Sequence, residues 1–265
     1  MPRRRNLGWN PQLPDHRDIV YAAPMGMVLP PAVDLRPRMP PVYDQGEIGS
    51  CTANATDALI QFLLRPAGTD TPWFSGSRLF IYYNTRLTEG TIGSDSGGSL
   101  RDAIKSVTTY GVPAEDAWPY DGSPAREDGT FPPGARATIR PSKPVYDAAA
   151  AAKAVNYHAV TQNLQQLKTC LAEGFPIAFG FTVLSSFYDA DGAPRVDIPL
   201  PGPDDGVEGG HAVAFVGYID ASERFIVRNS WGPNVQDKGH FYLPYAYVTD
   251  PQLASDFWTI RKVAP

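Results

Sequence analysis

The chain has 265 residues, a formal net charge of −5 at pH 7 and a hydrophobic content of 43%. This length and composition suit one large globular domain or two lobes that share a core. The mildly acidic balance argues against nucleic acid as the main partner, since nucleic-acid-binding surfaces are basic. The two cysteines, Cys51 and Cys170, are too few for a disulfide framework or a cysteine-based zinc site.

The N-terminal residues do not have the pattern of a signal peptide. The basic start at residues 1–5 is followed by Asn6-Leu7-Gly8-Trp9, which is not an apolar run. No stretch reaches the roughly 18 apolar residues that a membrane-spanning helix requires. A cytoplasmic protein without membrane association is therefore expected, and non-classical secretion, by a route that needs no cleavable signal, is left open.

Residues 1–32 are predicted to form an extension ahead of the globular part. The segment mixes charges with prolines and has neither helical nor strand periodicity, so it cannot bury enough apolar area to fold alone. It can still dock on the rest of the chain through apolar side chains. The expected anchors are Leu7, Trp9, Ile19, Val20 and Tyr21.

Helical patterns dominate the chain after this extension. Apolar residues recur at helical spacing after Ser50 and Cys51, and Pro66 is expected to end this first helix. Further helices are predicted around residues 79–83, between Gly98 and Gly111, and over Thr161–Glu173.

Strand patterns follow from Pro176 onward. The predicted strands are Ile177–Phe181, His211–Tyr218, Phe225–Asn229 and Gly239–Leu243. Helices first and strands later indicate an α+β protein, with a helical lobe at about residues 44–145 and a sheet lobe at about residues 146–265.

Cys51 is the candidate nucleophile because it begins the first helix. Unpaired N–H groups and the positive end of the helix dipole favour the thiolate there. The N–H of Cys51 and the side-chain amide of Gln45 can both face a developing oxyanion. Taken alone, Cys51 is equally compatible with an ordinary buried helix residue. Cys170, beside Leu167 and Leu171 in an amphipathic helix, is predicted to fill the core.

His211 is the candidate base and Asn229 its orienting partner. Cross-strand neighbours lie about 4.5–5.5 Å apart at Cβ, so an asparagine amide can fix the imidazole tautomer while the ring takes the thiol proton. The two strands that carry these residues are predicted to form an antiparallel hairpin. Its expected opposite pairs are His211 with Asn229, Val213 with Val227, and Phe215 with Phe225.

Three segments together resemble the signatures of papain-like cysteine peptidases. They are Gln45 with Cys51 six positions on, Gly210-His211-Ala212-Val213, and Arg228-Asn229-Ser230-Trp231-Gly232. Val33-Asp34-Leu35-Arg36 is similar to the mature N-terminus of that family, so the resemblance covers about residue 33 to the end. The stretch Asp44–Ala55 resembles a bacterial branch, the xylellain-type peptidases.

The resemblance implies a two-lobed fold, with a cleft between a helical left lobe and an antiparallel, β-barrel-like right lobe. It implies peptide-bond hydrolysis through a Cys51 thioester, with His211 as base and then acid. Asn229 would orient His211, and Gln45 would stabilise the oxyanion. Substrate contacts are implied for Gly97, Gly98, Ala212, Trp231 and Ser255, and Trp231 would also cover the His211–Asn229 pair from water.

Two departures from the family pattern concern the residues around the nucleophile. Ile48 stands where the family has a cysteine, and Thr52 stands where it has an aromatic residue. The family's disulfides are therefore absent, which fits a reducing compartment.

The extension is too short for a separately folded prodomain, and two placements are open. Residues 1–32 either restrict the cleft as an inhibitory pro-segment or pack as a strap on a remote surface. The expected partners are protein or peptide substrates, without cofactor, metal, nucleic acid or membrane, and the chain is expected to be a monomer.

Two other functions are compatible with the same resemblance. One is a papain-fold amidase or acyltransferase that acts on a non-protein substrate. The other is a non-catalytic effector that keeps the fold, against which the presence of Gln45, Cys51, His211 and Asn229 argues.

Overall fold

The computed structural model describes residues 6–65, 68–69 and 72–264. The basic start at residues 1–5 and Pro66, which was expected to end the first helix, lie outside these ranges. No helix in the described part is long and apolar enough to cross a membrane. The described helices are α1 (Cys51–Leu64), α2 (Arg78–Glu89), α3 (Leu100–Thr109), α4 (Lys143–Ala149), α5 (Leu164–Ala172) and α6 (Tyr245–Thr249).

The strands form one antiparallel sheet in the order β2-β7-β3-β4-β5-β6, and β1 pairs with β4. The terminal strands of this order, β2 and β6, do not pair in the described residues, so the sheet is not closed into a barrel. The α+β prediction is confirmed. The predicted barrel-like lobe is an open antiparallel sheet instead of a closed barrel. The strands are β1 (Ala32–Asp34), β2 (Lys153–Ala159), β3 (Ile177–Leu184), β4 (Val207–Ile219), β5 (Arg224–Arg228), β6 (His240–Pro244) and β7 (Ala254–Ala264).

Serine side chains cap the starts of α2 and α3, but the serine before α1 makes no such cap. The hydroxyl of Ser77 accepts from the N–H of Phe80 at 3.2 Å, and that of Ser99 accepts from the N–H of Asp102 at 3.1 Å. Such caps satisfy N–H groups that a helix start leaves unpaired. Ser50, which precedes α1, makes no such side-chain cap. The first N–H groups of α1 therefore have no serine oxygen in front of them.

Two apolar cores lie on either side of α1. The first is rich in stacked aromatic rings, and the centroids of Phe179 and Phe215 are 3.8 Å apart. The second joins α1, α2 and α3 to the opposite face of the sheet. Strand β4 alternates between them, since Ala212 belongs to the second core and Val213 to the first. Helix α1 is buried from Cys51 through Phe62, so its first residue lies at the junction of helices and sheet.

Candidate active site

Cys51 lies at the start of α1 with its side chain completely buried. The N–H of Ala212 on β4 donates to its Sγ at 3.4 Å, and the N–H of Gly8 also donates to this sulfur. The structure thus brings the predicted nucleophile beside the predicted base, because Ala212 directly follows His211. The other cysteine, Cys170, is free and fills the first core, as predicted.

Burial controls the protonation of this pair in the structure. It raises the pKa of Cys51 to about 11, while N–H groups of Ala212, Gly8 and the helix start act in the opposite direction. Burial also lowers the pKa of His211 to about 4, against a smaller opposing effect of Asn229. Both groups are therefore neutral at pH 7. The N–H groups at the helix start favour the thiolate of Cys51, as expected, but burial outweighs them in this arrangement.

A chain of amide hydrogen bonds fixes the tautomer of His211. The Nδ2 of Asn229 donates to Gln236 Oε1 at 2.8 Å, and its Oδ1 accepts from the N–H of Ser230 at 2.8 Å. The same Oδ1 lies 2.9 Å from His211 Nε2. Because this oxygen can only accept, Nε2 must carry the proton. The other nitrogen, Nδ1, has no hydrogen-bond partner among the described residues and is left to act as the base.

The predicted hairpin register is wrong, although the predicted His211–Asn229 contact is present. The observed pairs include Ala214 with Arg228 and Phe215 with Val227, two positions away from the prediction. The turn lies elsewhere than predicted, since Ile219 pairs with Arg224, three positions from the predicted register, and a bulge between Phe215 and Gly217 with an extra residue in β4 reduces this offset to two on the side of His211. His211 consequently reaches Asn229 diagonally rather than from directly opposite, which long side chains can span.

Trp231 stacks on His211, with ring centroids 4.9 Å apart and an interplanar angle of 29°. The indole is buried and lies on the ring face of the predicted base. A flat apolar cover of this kind keeps water from the imidazole edge that is paired with Asn229. The placement agrees with the covering position that the resemblance implied for Trp231.

Gln45 is held with its amide nitrogen toward the nucleophile loop. Ser230 Oγ donates to Gln45 Oε1 at 2.7 Å, which fixes the orientation of the amide. The Nε2 then donates to the carbonyl of Ile48 at 2.9 Å and to the carbonyl of Asn6 at 3.1 Å. The expected oxyanion donor is therefore in place, but a carbonyl of the N-terminal segment occupies it.

Asp95 was not identified from the sequence, yet it ties the nucleophile loop to the glycine pair. Its two carboxylate oxygens accept from the N–H of Gly49 at 2.9 and 3.0 Å. It also accepts from the hydroxyl of Tyr82, which in turn accepts from the N–H of Gly97 at 3.3 Å. Asn6 donates to it from the extension. An acidic residue just before Gly97 and Gly98 was the only signal that the sequence offered.

Residues 6–10 of the extension run across the site. The N–H of Gly98 donates to the carbonyl of Gly8 at 2.8 Å, and the N–H of Asn10 donates to the carbonyl of Gly98 at 3.1 Å. The N–H of Trp9 donates to the carbonyl of Gly210 at 3.0 Å. A Cβ added to Gly8 would lie 1.9 Å from the carbonyl oxygen of Gly49, so only glycine permits this close approach.

The anchors of the extension are only partly those predicted. Trp9 and Tyr21 are buried and Leu7 packs against the first core, but Ile19 and Val20 are exposed. The reason is that residues 19–21 attach through their backbone. Ala159 on β2 donates its N–H to the carbonyl of Ile19 at 2.9 Å and accepts from the N–H of Tyr21 at 2.8 Å.

Ser255, expected near the base of a substrate pocket, pairs with Gly180 across β7 and β3. The indole of Trp9 lies against Gly180. The next residue, Asp256, accepts from Trp9 Nε1 at 3.0 Å and was not singled out from the sequence. Ser255 thus lies beside the stretch where the extension crosses the interior strands β3, β4 and β7.

Similarity to known proteins extends over nearly the whole chain. The family model of papain family cysteine proteases matches residues 29–256. The chain is 46% identical to xylellain, a cysteine protease from Xylella fastidiosa, whose crystal structure matches with a TM-score of 0.91 over 99% of both chains.

Two sequence relatives agree with this structural match. An uncharacterized peptidase C1-like protein, L477 of Acanthamoeba polyphaga mimivirus, is 35% identical over 98% of this chain and 88% of its own. Cathepsin B-like CP3 of Giardia intestinalis is 30% identical over 77% of this chain and 64% of its own. The chain belongs to the papain family of cysteine proteases, and the predicted family and fold class are confirmed.

Proposed function

We propose that the protein hydrolyses peptide bonds through a thioester on Cys51. The observation that carries the proposal is the fixed tautomer of His211. Its Nε2 is tied to Asn229 at 2.9 Å, and its Nδ1 has no hydrogen-bond partner among the described residues. A neutral imidazole with one bare nitrogen, on the residue next to the Ala212 N–H that donates to the Cys51 sulfur, provides the base that nucleophilic catalysis by cysteine requires.

The first half of the reaction follows from these positions. Nδ1 of His211 takes the thiol proton, and Sγ of Cys51 attacks the carbonyl carbon of the substrate. The resulting oxyanion accepts from the N–H of Cys51 and from Nε2 of Gln45. As the tetrahedral species collapses, His211 returns the proton to the leaving amine, the C–N bond breaks and the thioester remains.

The second half regenerates the enzyme. His211 takes a proton from a water molecule, and the oxygen of that water attacks the thioester carbon. The oxyanion again accepts from Cys51 and Gln45. The C–S bond then breaks, the carboxylic acid product leaves, and the sulfur recovers its proton.

The N-terminal segment is proposed to keep the enzyme inactive as an attached pro-segment. Three contacts support this: Asn6 occupies the Gln45 amide, Gly8 lies on the sulfur, and Trp9 and its neighbours pair with Gly98. A substrate carbonyl cannot reach a sulfur that is completely buried. Departure of the segment would return solvent to Cys51 and allow the helix start to favour the thiolate. The match to xylellain over the whole chain also supports placing the protein in a bacterial branch.

Peptide hydrolysis by two versions of the chain tests both parts of the proposal. The full-length chain and a chain that starts at Pro31 are assayed with a fluorogenic peptide library, each with and without Cys51→Ala. We expect hydrolysis by the shorter chain, little by the full chain, and none by either Cys51→Ala variant. Hydrolysis that survives Cys51→Ala would exclude the nucleophile, and equal rates for the two chain lengths would exclude inhibition by the segment.

A further inference from the structure

Trp9 places its side chain in a pocket beside the catalytic cysteine, and it is only 7% exposed there. The indole lies flat on the backbone of Gly180. A Cβ added at Gly180 would lie 1.9 Å from Trp9 Cε2, and one added at Gly210 would lie 2.8 Å from Trp9 Cε3. The pocket therefore exists because two glycines lack side chains, and it accepts a flat group.

A carboxylate lies at the indole N–H end of this pocket. Oδ2 of Asp256 accepts from Trp9 Nε1 at 3.0 Å and from the N–H of Gln12 at 3.1 Å. Both donors belong to the N-terminal segment and would leave with it. The pocket would then present a carboxylate that has lost two hydrogen-bond donors.

The backbone of β7, rather than the segment, aims Asp256 into the pocket. Ala178 pairs with Trp258, whereas Gly180 pairs with Ser255, so β7 carries an extra residue beside Asp256. Asp256 itself has a φ of 59°. Bulges of this kind redirect side chains, and aspartate tolerates a left-handed conformation better than most residues. The carboxylate should keep its direction when the segment departs.

The half-buried position makes a lost donor costly. Burial raises the pKa of Asp256 to about 6, while hydrogen bonds from Gln12, Trp9 and Ser255 and the positive charge of Arg101 act in the opposite direction, and of these only Gln12 and Trp9 belong to the segment. A carboxylate in such a place is disfavoured unless a donor or a cation meets it. A substrate side chain that brings both would therefore bind better than an apolar one.

We propose that Asp256 determines specificity, selecting substrates that place an arginine side chain in the pocket that Trp9 now fills. This rests on the peptidase function proposed above. A guanidinium is planar like an indole, can lie on the glycine backbone, and can donate two hydrogen bonds to one carboxylate. A cavity of about 550 Å³ adjoins the carboxylate, and Arg101, Asp256 and Trp258 remain as walls when the segment residues that also line it depart, which leaves room for a longer side chain.

Arg101 is the internal competitor for this carboxylate. Its guanidinium is now held by Asp18 of the extension at 2.6 Å. When the segment leaves, Arg101 loses that partner and becomes free to approach Asp256. If it pairs with Asp256, the pocket will not prefer arginine, and the proposal is then wrong.

The test uses the full-length chain with Gly8→Ala and Trp9→Ala, which together disfavour docking of the segment and empty the pocket. A positional-scanning peptide library is cleaved by this background enzyme, by the same enzyme with Asp256→Asn, and by the same enzyme with Asp256→Gly. Both replacements tolerate the φ of Asp256, so folding is expected to survive. Asp204→Asn makes the same chemical change on an exposed loop and is the matched control.

At one position relative to the cut, the background enzyme should prefer arginine over leucine by roughly 10- to 100-fold in kcat/KM, the range for a charge-assisted hydrogen bond. Asp256→Asn and Asp256→Gly should abolish that preference, and Asp204→Asn should keep it. Cleavage without such a preference, or a preference that survives both replacements, overturns this inference alone. A background enzyme that cleaves nothing and does not react with an epoxide inhibitor at Cys51 overturns the proposed function, and the inference with it.

Discussion

Replacing Trp9 by alanine should open the active site of the full-length chain. The indole is 7% exposed, packs on Gly180 and donates to Asp256. Truncating a buried tryptophan costs about 3–5 kcal/mol. This cost falls on the docked state, because Trp9 is in solvent when the segment is undocked. At about 1.4 kcal/mol per factor of ten, the docking equilibrium should shift roughly 10²- to 10³-fold toward the open form.

The contacts farther along the segment should survive this change and keep the opening local. Tyr21 donates to Glu173, and Arg101 holds Asp18, so residues 18–21 stay attached. The free-energy loss is therefore concentrated on the stretch that covers Cys51.

Initial rates of fluorogenic peptide hydrolysis measure the effect. The wild-type chain, Trp9→Ala and Leu13→Ala are compared at low enzyme concentration, and mass spectrometry confirms that each chain is intact. Leu13 belongs to the same segment but is 85% exposed, so its truncation should leave the rate unchanged. Trp9→Ala should hydrolyse at least about tenfold faster than wild type. A folded, intact Trp9→Ala chain with the wild-type rate would refute the idea that Trp9 holds the segment over the site.

Four further predictions concern single groups of the site. In the full-length chain opened by Trp9→Ala, Asn229→Ala should lower kcat roughly 10- to 100-fold with little change in KM, because the imidazole loses the acceptor that fixes its tautomer. An unchanged kcat in steady-state kinetics would contradict this. Gln45→Ala should lower kcat roughly 10²- to 10³-fold through loss of an oxyanion donor, and equal kcat values would remove Gln45 from the reaction. Asp95→Ala should lower the free energy of unfolding by roughly 2–4 kcal/mol, since several donors lose a charged acceptor; urea denaturation with an unchanged midpoint would argue otherwise. In the wild-type chain, alkylation of Cys51 should be slow around neutral pH, because the reagent reaches the completely buried sulfur only when the segment undocks, and burial raises the pKa of Cys51 to about 11 and so keeps the docked form a thiol. The opened chain should react near neutral pH, so superimposable pH profiles would speak against shielding.

The sequence was most informative where chemistry depends on local position. Apolar residues recur at helical spacing after Ser50 and Cys51, and α1 indeed begins at Cys51. The pairing of His211 with Asn229 also followed from two strand patterns joined by a short loop. The register of the hairpin was not predicted correctly, because neither the position of the turn, where Ile219 pairs with Arg224, nor the bulge in β4 can be read from an alternation of apolar residues.

Groups that act over long sequence distances could not be found in the same way. Asp256 accepts from Trp9, 247 positions away, and Asp95 accepts from Gly49, 46 positions away. Neither contact leaves a periodic signal. Strand β2 was also missed, since Lys153–Ala159 has only one fully buried residue and pairs at the edge of the sheet. The exposure of Ile19 follows from backbone pairing with this unpredicted strand.

The central claim is that Cys51 is a catalytic nucleophile covered by the N-terminal segment. Intact-protein mass spectrometry of the reaction with an epoxide inhibitor of papain-like enzymes tests it directly, with peptide mapping to locate the adduct. The chain that starts at Pro31 should gain one inhibitor molecule on Cys51, and the full-length chain should gain it far more slowly. Modification elsewhere, no modification of either chain, or equal rates for both chains would contradict the account.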